Sequence, residues 1–470
     1  MAYGGGFGEV PNDHYFIHKG VVFSDRSPKP HYPEMKRVYQ WIGLEADDLA
    51  AGTVKIKNKY QFIPLDRFEG AWTVSEDGTV IDRGSLAVGG IAPGAEKEIK
   101  VPFKAIMPKP GAEYFLRVSL ALAKDELWAK AGYEVAAGQF KLPVGAPAPV
   151  EKAAGKHPVM VTQDAEQVTV SGEGFSVVFD KVHGSISRLV RDGVDILVKG
   201  GGPRLHLWRA MHRNDDKWAA GDWTRYGLTN LAGKVISFQA LQKDPLSATV
   251  SISVKFAGKS GFGMIHSARH VVNGDGSIVV DNGIVPEGKR IPLARLGVRL
   301  LLDRKLDRFT YLGRGPMENY SDRKRGSDVG LYSGTVKANM TPYAKPMECG
   351  NHEDVRWAAL DGNGMPGLLV QADGGLLQAA ALPYTDEVMD PIEYTVDLPE
   401  STSTVFCVGS AALGVGSASC GSPPLDEYKV WSDPATFSYV LRLLPENEKN
   451  FAAAGRLAVS GSDRKVLNGR

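Results

Sequence analysis

Only three cysteines, Cys349, Cys407 and Cys420, occur in 470 residues. They are too few and too scattered for a disulfide framework, and none has metal-ligand spacing. Their simplest reading is as small buried hydrophobes. A surplus of one charge is missing too: 55 basic residues face 54 acidic ones. That balance gives no global field to draw the chain to nucleic acid or to an anionic membrane. No uncharged apolar run approaches the roughly 20 residues that span a bilayer. The opening Met-Ala-Tyr-Gly-Gly-Gly has no basic region followed by an apolar core. No secretory leader is read there, and the cytoplasm is the default location unless a signal lies further upstream. Internal repeats and low-complexity tracts are absent as well.

What is present points to β structure. The 54 glycines and 28 prolines imply many turns and few long helices. The length exceeds what one hydrophobic core usually supports, so two or three domains are expected. A hydrophobic fraction of 43% with 23% charged residues fits an ordinary soluble globular protein. Residues 1–40 are rich in Gly, Pro, aromatic and basic side chains and have no clear period. Residues 41–142 alternate: Val54 and Ile56, then Tyr60 and Phe62, are separated by single polar residues. Residues 71–74 and Val80-Ile81 flank the turn Glu76-Asp77-Gly78 and read as a hairpin, with residues 115–120 as a further strand. Short strands at this spacing suggest an immunoglobulin-like sandwich. Residues 143–157 form a Pro/Ala-rich linker. Residues 158–470 return to alternation, strictest where Val250, Ile252, Val254 and Phe256 are interleaved with Ser251, Ser253 and Lys255. That many residues of this texture fit a large antiparallel supersandwich.

Two polar clusters stand out. His212, Asn214, Asp215 and Asp216 lie beside Trp208, Trp218 and Trp223, the mixture of planar apolar faces and hydrogen-bonding groups that a carbohydrate groove needs. Glu318, Asn319, Asp322 and Arg323 follow a Gly-rich turn. Each cluster has a competing structural reading. The first would satisfy its groups locally, and the second would pair Arg323 with Asp322 or Glu318. Glu348 and Arg356 carry the same ambiguity, because paired charges are usually structural.

Several long peptides carry a resemblance. Residues 3–13, 16–30, 208–215, 311–323 and 342–357 together resemble the C-terminal part of the glycoside hydrolase family 2 β-galactosidases. The resemblance implies that residues 1–40 are a remnant of a (β/α)8 barrel's closing segment. An immunoglobulin-like domain and a galactose-mutarotase-like supersandwich would follow. The implied activity is hydrolysis of terminal β-D-galactosides with retention, which needs two carboxylic acids about 5–5.5 Å apart. In the family both sit on barrel strands, which would lie upstream of Met1, so no catalytic residue is nominated here. The substrate-binding candidates are His212, Asn214, Asp215, Glu318 and Asn319. The implied partners are a carbohydrate, an upstream catalytic barrel or large subunit, and a further copy of the chain in a homo-oligomer.

The resemblance also implies Mg2+ and Na+ for the intact enzyme. Asn12 matches a position near magnesium, and Phe16 one that offers its carbonyl to sodium. Lys19 stands where the family places a sodium-ligating Asn, and its ammonium is a compact cation able to replace the ion. Other departures are Gly6 for an Asp, Met1 for an aromatic residue, Val405 for a sugar-stacking Trp, and residues 417–421 for a motif containing Trp. Phe406 or Trp431 would have to supply the missing stacking surface.

The alternative reading is a stand-alone carbohydrate-binding or structural protein. A more distant one is an aldose 1-epimerase using His212 and Glu318 as acid and base. Residues 1–40 separate the first two. Tyr3, Phe7, Tyr15, Phe16, Val21, Val22 and Phe23 would face a barrel, so without one the segment is expected to lack fixed structure or to pack against another chain.

Overall fold

The computed structural model describes residues 2–151 and 157–459. Most of the linker's second half, residues 152–156, therefore lies outside the described residues, as does the side chain of Tyr15. The fold is mainly β. Among the described residues no helix is long and apolar enough to cross a membrane.

The first sandwich pairs a sheet of three strands, Ile42–Ala46, Thr53–Asn58 and Glu96–Lys100, with a sheet of four. In the second sheet Phe68–Glu76 lies between Thr79–Leu86 and Tyr114–Leu122, with Glu134–Lys141 at the edge. The alternation read from sequence is real: Val54, Ile56, Trp72, Val74, Leu116 and Val118 fill one core between the sheets. Glu76 pairs with Thr79 around a two-residue turn. Asp77 and Gly78 both have positive φ, 45° and 82°, as a hairpin turn matched to strand twist requires. This tip presses on the supersandwich. A Cβ at Gly78 would sit 2.1 Å from the Leu331 nitrogen, so only glycine fits. Asp77 and Glu76 are held there by Arg456.

The second core is larger. Nine antiparallel strands, beginning with Ala232–Asp244 and ending at the edge with Asp328–Thr335, form one sheet. Two five-stranded sheets complete the supersandwich. Strand Ser247–Ala257 buries Ala248, Val250, Ile252 and Val254 on one face, as its alternation requires.

The N-terminal segment departs from expectation. Tyr3 is 3% exposed and Phe23 is 9% exposed. Tyr3 stacks on Tyr394 at 4.5 Å and donates its hydroxyl to Glu393. Phe23 packs at 6.0 Å from Tyr343. These rings find apolar partners on the chain's own supersandwich, so the segment needs no second chain to be ordered. At its rim Phe7 at 89% and Val10 at 87% stay exposed. The helix Tyr32–Val38 ties the three units together: Glu34 accepts from the Gly326 N–H at 2.6 Å, and Arg37 pairs with Asp328 at 3.3 Å. Asp328 also receives Arg117, and Gln139 exchanges two hydrogen bonds with the Val329 backbone, at 2.8 and 2.7 Å.

Candidate functional site

A cleft of about 760 Å³ lies where the N-terminal segment meets the supersandwich. Its walls are the barrel-end loop with Phe16, Lys19, Phe23 and Lys29, the residues opening the short helix Arg213–Asp216, and the loops 318–323, 343–348 and 415–420.

The helix start and the loop 415–420 are folded by one exchange of hydrogen bonds. Asn214 donates its amide to the carbonyls of Val415 and Gly416, at 3.1 and 3.0 Å, and accepts from the Ser419 N–H at 3.0 Å. Asp322 accepts from the N–H groups of Val415 and Gly416, at 2.9 and 2.8 Å. Asn214 thus lines the cleft but its amide is committed to the wall. Asp322→Ala is expected to raise hydrogen exchange at the Val415 and Gly416 amides about tenfold or more, because a charged acceptor is lost. Unchanged exchange there would show that other contacts hold the loop.

The remaining sequence candidates divide sharply. Asp215 and Asn319 are fully buried and do not line the cleft. Asp215 forms a bidentate pair with Arg209, at 3.0 and 2.8 Å. Burial opposes its charge, but the guanidinium outweighs that and holds the carboxyl below the ordinary range. Asn319 donates to the carbonyls of Arg314 and Met317, both at 2.9 Å, and accepts from the Glu353 N–H at 2.8 Å. Glu318 does face the cleft, yet its carboxylate already accepts four bonds. The donors are Arg323 at 2.9 Å, Thr341 at 2.6 Å, Tyr343 at 2.8 Å and the Gly350 N–H at 2.8 Å. Such a carboxylate is saturated. It clamps two loops.

His212 is different. It lines the cleft at 7% exposure, and neither ring nitrogen makes a hydrogen bond. Its Nε2 stands 3.4 Å from Asp215. Burial outweighs the opposing pull of the Asp215 charge and, with the nearby Arg209 and Arg323 charges, lowers its pKa to about 4. It is therefore neutral at pH 7, but both ring nitrogens are buried away from the cleft, so the imidazole presents no polar group to it.

The predicted tryptophans are not cleft residues. Trp223 is core and donates to the Pro292 carbonyl at 2.9 Å, and neither Trp208 nor Trp218 lines the cleft. The aromatic surface comes instead from Phe16, Phe23, Tyr320 and Tyr343. Val405 and Phe406 are buried, and Trp431 lies outside the cleft beneath the Arg290 guanidinium at 4.3 Å. Glu348 pairs with buried Arg295, whereas Arg356 reaches across to Glu113 of the first sandwich.

Sequence reasoning missed two buried cleft lysines. Lys29 donates to the carbonyls of His18 at 2.8 Å and Gly20 at 3.1 Å, and burial lowers its pKa. Lys345 donates to the carbonyls of Asp390 and Ile392, at 2.9 and 3.1 Å. Each precedes a proline, Pro30 or Pro346, which stiffens the backbone into extended form. That was the available signal.

Three family profiles match this architecture in chain order. The glycosyl hydrolases family 2 TIM barrel domain matches residues 1–44, β-galactosidase domain 4 matches residues 54–143, and the β-galactosidase small chain matches residues 171–442, more than half of the chain. The chain belongs to the glycoside hydrolase family 2 β-galactosidases. Curated relatives agree. A β-galactosidase of Priestia megaterium is 33% identical over 88% of this chain and 40% of its own length. One of Halalkalibacterium halodurans is 30% identical over 92% of this chain and 42% of its own length. The chain thus spans about 40% of the relatives it matches. Among solved structures, an aldose epimerase homologue from C. elegans covers 62% of this chain and all of its own, at 9% identity and a TM-score of 0.34, a likeness too slight to carry any inference.

The family's metals do not find complete sites in these residues. Asn12 donates to the Glu9 carbonyl at 2.9 Å and accepts from the His14 N–H at 3.1 Å, while the Glu9 carboxylate turns inward to the N–H groups of Gly5 and Phe7. Among the described residues no group of three or more His, Cys, Asp or Glu is placed to hold a metal. The Lys19 ammonium lies over the Phe16 ring, 4.2 Å from its centroid, and the ammonium held by backbone carbonyls is that of Lys29.

Proposed function

We propose that this chain is the C-terminal, carbohydrate-facing part of a retaining β-galactosidase whose two catalytic carboxylates reside in an upstream barrel region. The observation that carries this reading is the composite cleft. The barrel-end segment is seated on the supersandwich, and the two together wall one space lined by aromatic faces and buried cations. A pyranose has an apolar C–H face suited to Phe23 and Tyr343. The acids that line the cleft are already engaged: Glu318 by its four donors, Asp322 by loop amides and Glu348 by Arg295. None is left to act as nucleophile or as acid/base. The four donors on Glu318 weigh equally against an epimerase that uses it as base.

The purified chain is expected to show no hydrolysis of a chromogenic β-galactoside above background. Mixed with a polypeptide supplying the upstream barrel of a family relative, it is expected to support turnover. Hydrolysis by the chain alone, traced to one of its own side chains, would overturn the reading. The buried packing of Tyr3 and Phe23 keeps a stand-alone carbohydrate-binding protein as the second reading. Saturable galactoside binding by the chain, with no activity in any complemented mixture, would favour it.

A further inference from the structure

A groove of about 650 Å³ runs along the seam between the first sandwich and the supersandwich, and shares no lining residue with the first cleft. Lys59 and Lys141 line it from the first sandwich, Arg37 from the helix Tyr32–Val38, and Arg314, Arg325 and Arg356 from the supersandwich. Against these six cations the lining holds three carboxylates, Glu45, Asp328 and Asp354. The acids of the seam are each shared between two cations. Asp328 holds Arg37 at 3.3 Å and Arg117 at 2.8 Å. Asp354 holds Arg314 and Lys324, and Glu113 behind the wall holds Lys141 and Arg356. Arg117 brings one further acid with it, Glu134 at 2.9 Å. The bonded partners behind the wall therefore cancel, Arg117 and Lys324 against Glu113 and Glu134, and an excess of three positive charges remains.

That excess can be reached. Lys59 and Arg325 are exposed, and neither side chain makes a hydrogen bond or ion pair with any described residue. The pairs also leave donors over. Arg37 spends one terminal nitrogen on Asp328, and Arg356 spends Nε on Glu113 and Nη1 on the Asp354 carbonyl. None of their unused nitrogens is enclosed, so each is open to solvent. Like charges gathered on facing walls repel unless an anion enters between them. Four of the six are arginines, whose planar fork matches phosphate oxygens two at a time. The chain as a whole carries a net charge of only +1. No broad field therefore invites a long polyanion, and the seam favours a compact one that concentrates its charge. We propose that this groove binds an oligophosphate, the run of linked phosphates shared by inorganic tripolyphosphate and nucleoside triphosphates. It would bridge Lys59 of the first sandwich to Arg37 and Arg325 and so fasten the two β units together. The inference is independent of the proposed hydrolase role, because none of its residues belongs to the first cleft.

The test uses the whole chain at fixed ionic strength, with tripolyphosphate, a metal-free nucleoside triphosphate and single phosphate as probes, read by titration calorimetry and by Tm. Tripolyphosphate is expected to bind saturably, more tightly than single phosphate, and to raise Tm. Lys59→Ala and Arg325→Ala are each expected to weaken that binding about tenfold, the loss of one charge-assisted contact. Both should leave the ligand-free Tm unchanged, since neither side chain has a protein partner to lose. Bound ligand is also expected to slow exchange at the Val329 amide, which crosses the seam to Gln139. Equal affinity for the two oligophosphates would support the proposal with the inorganic chain as sufficient ligand; tighter binding of the nucleotide would support it with the nucleoside as part of the ligand. No saturable binding of either oligophosphate would overturn it. So would wild-type affinity in both variants, or a single-stranded oligonucleotide held more tightly than tripolyphosphate. A loss of binding in Lys19→Ala with none in Arg325→Ala would overturn it too, by placing the anion in the first cleft.

Discussion

Asp215→Ala is expected to destabilise the chain by about 3–5 kcal/mol, the usual consequence of leaving a buried charge without its partner. Arg209 and Asp215 are both almost completely inaccessible. The remaining guanidinium donors hold the carbonyls of Leu413 and Gly414, at 2.9 and 3.2 Å. Losing the carboxylate thus strands a cation and frees the base of the loop that forms one cleft wall. The pair also reports on pH. The carboxyl is held below its ordinary range, so the unfolded chain takes up its proton first on acidification. Its contribution is fully present above about pH 4, the unfolded carboxylate value, and is lost as the pH falls further, through the folded value. The midpoint of urea unfolding followed by tryptophan fluorescence is the measurement. A shift worth less than about 1 kcal/mol, the range of exposed pairs, would show that the surroundings relax to water. The double replacement Arg209→Met with Asp215→Leu is expected to destabilise far less than the sum of the single changes, because it removes both charges together.

The strands and the two polar clusters show what was legible in the sequence and what was not. Alternation made Val54, Ile56, Val250, Ile252 and Val254 readable as inward-facing strand residues, and they are buried, because the two-residue period is a local property of the chain. Asp77-Gly78 was readable as a turn for the same reason. The density of polar groups at 212–216 and 318–323 correctly marked the places where the chain must fold an irregular wall. Density could not distribute the roles. Whether a carboxylate meets a ligand or a guanidinium depends on partners far away in sequence, as in Asn214 with Gly416, Glu318 with Tyr343 and Glu348 with Arg295. Nothing local announces those meetings. The tryptophans near 212 misled for a related reason, since large rings next to a polar cluster in sequence serve the core beneath it as readily as the surface above it. The N-terminal aromatics were misjudged because the apolar surface that receives Tyr3 and Phe23 is supplied by Tyr394 and Tyr343, several hundred residues on.

Acidification from pH 6.5 to 4 is expected to lower the stability of this chain steeply. His212, His270 and His352 are buried, and burial brings the pKa of each to about 4. In the unfolded chain they titrate near 6.5. Between those two values the unfolded chain binds more protons than the folded one, so stability rises with pH there; it is fully present above 6.5 and lost toward 4. Each histidine adds a slope approaching about 1.4 kcal/mol per pH unit; His212 stands 3.4 Å from Asp215 and titrates with it, so the sum rests on His270 and His352, about 3 together. His206 is also brought to about 4, but it is bonded to Asp386 at 2.8 Å, and the two titrate as a pair, so it is left out of that sum. The measurement is the thermal midpoint against pH at fixed ionic strength. His270→Gln removes one titrating site while keeping a donor for the Val250 carbonyl, which His270 meets at 3.3 Å. The variant is expected to be less stable at pH 7 but to show a shallower acid limb, by about one proton. A wild-type profile that stays flat from pH 6.5 to 5 would mean that these imidazoles reach water when charged.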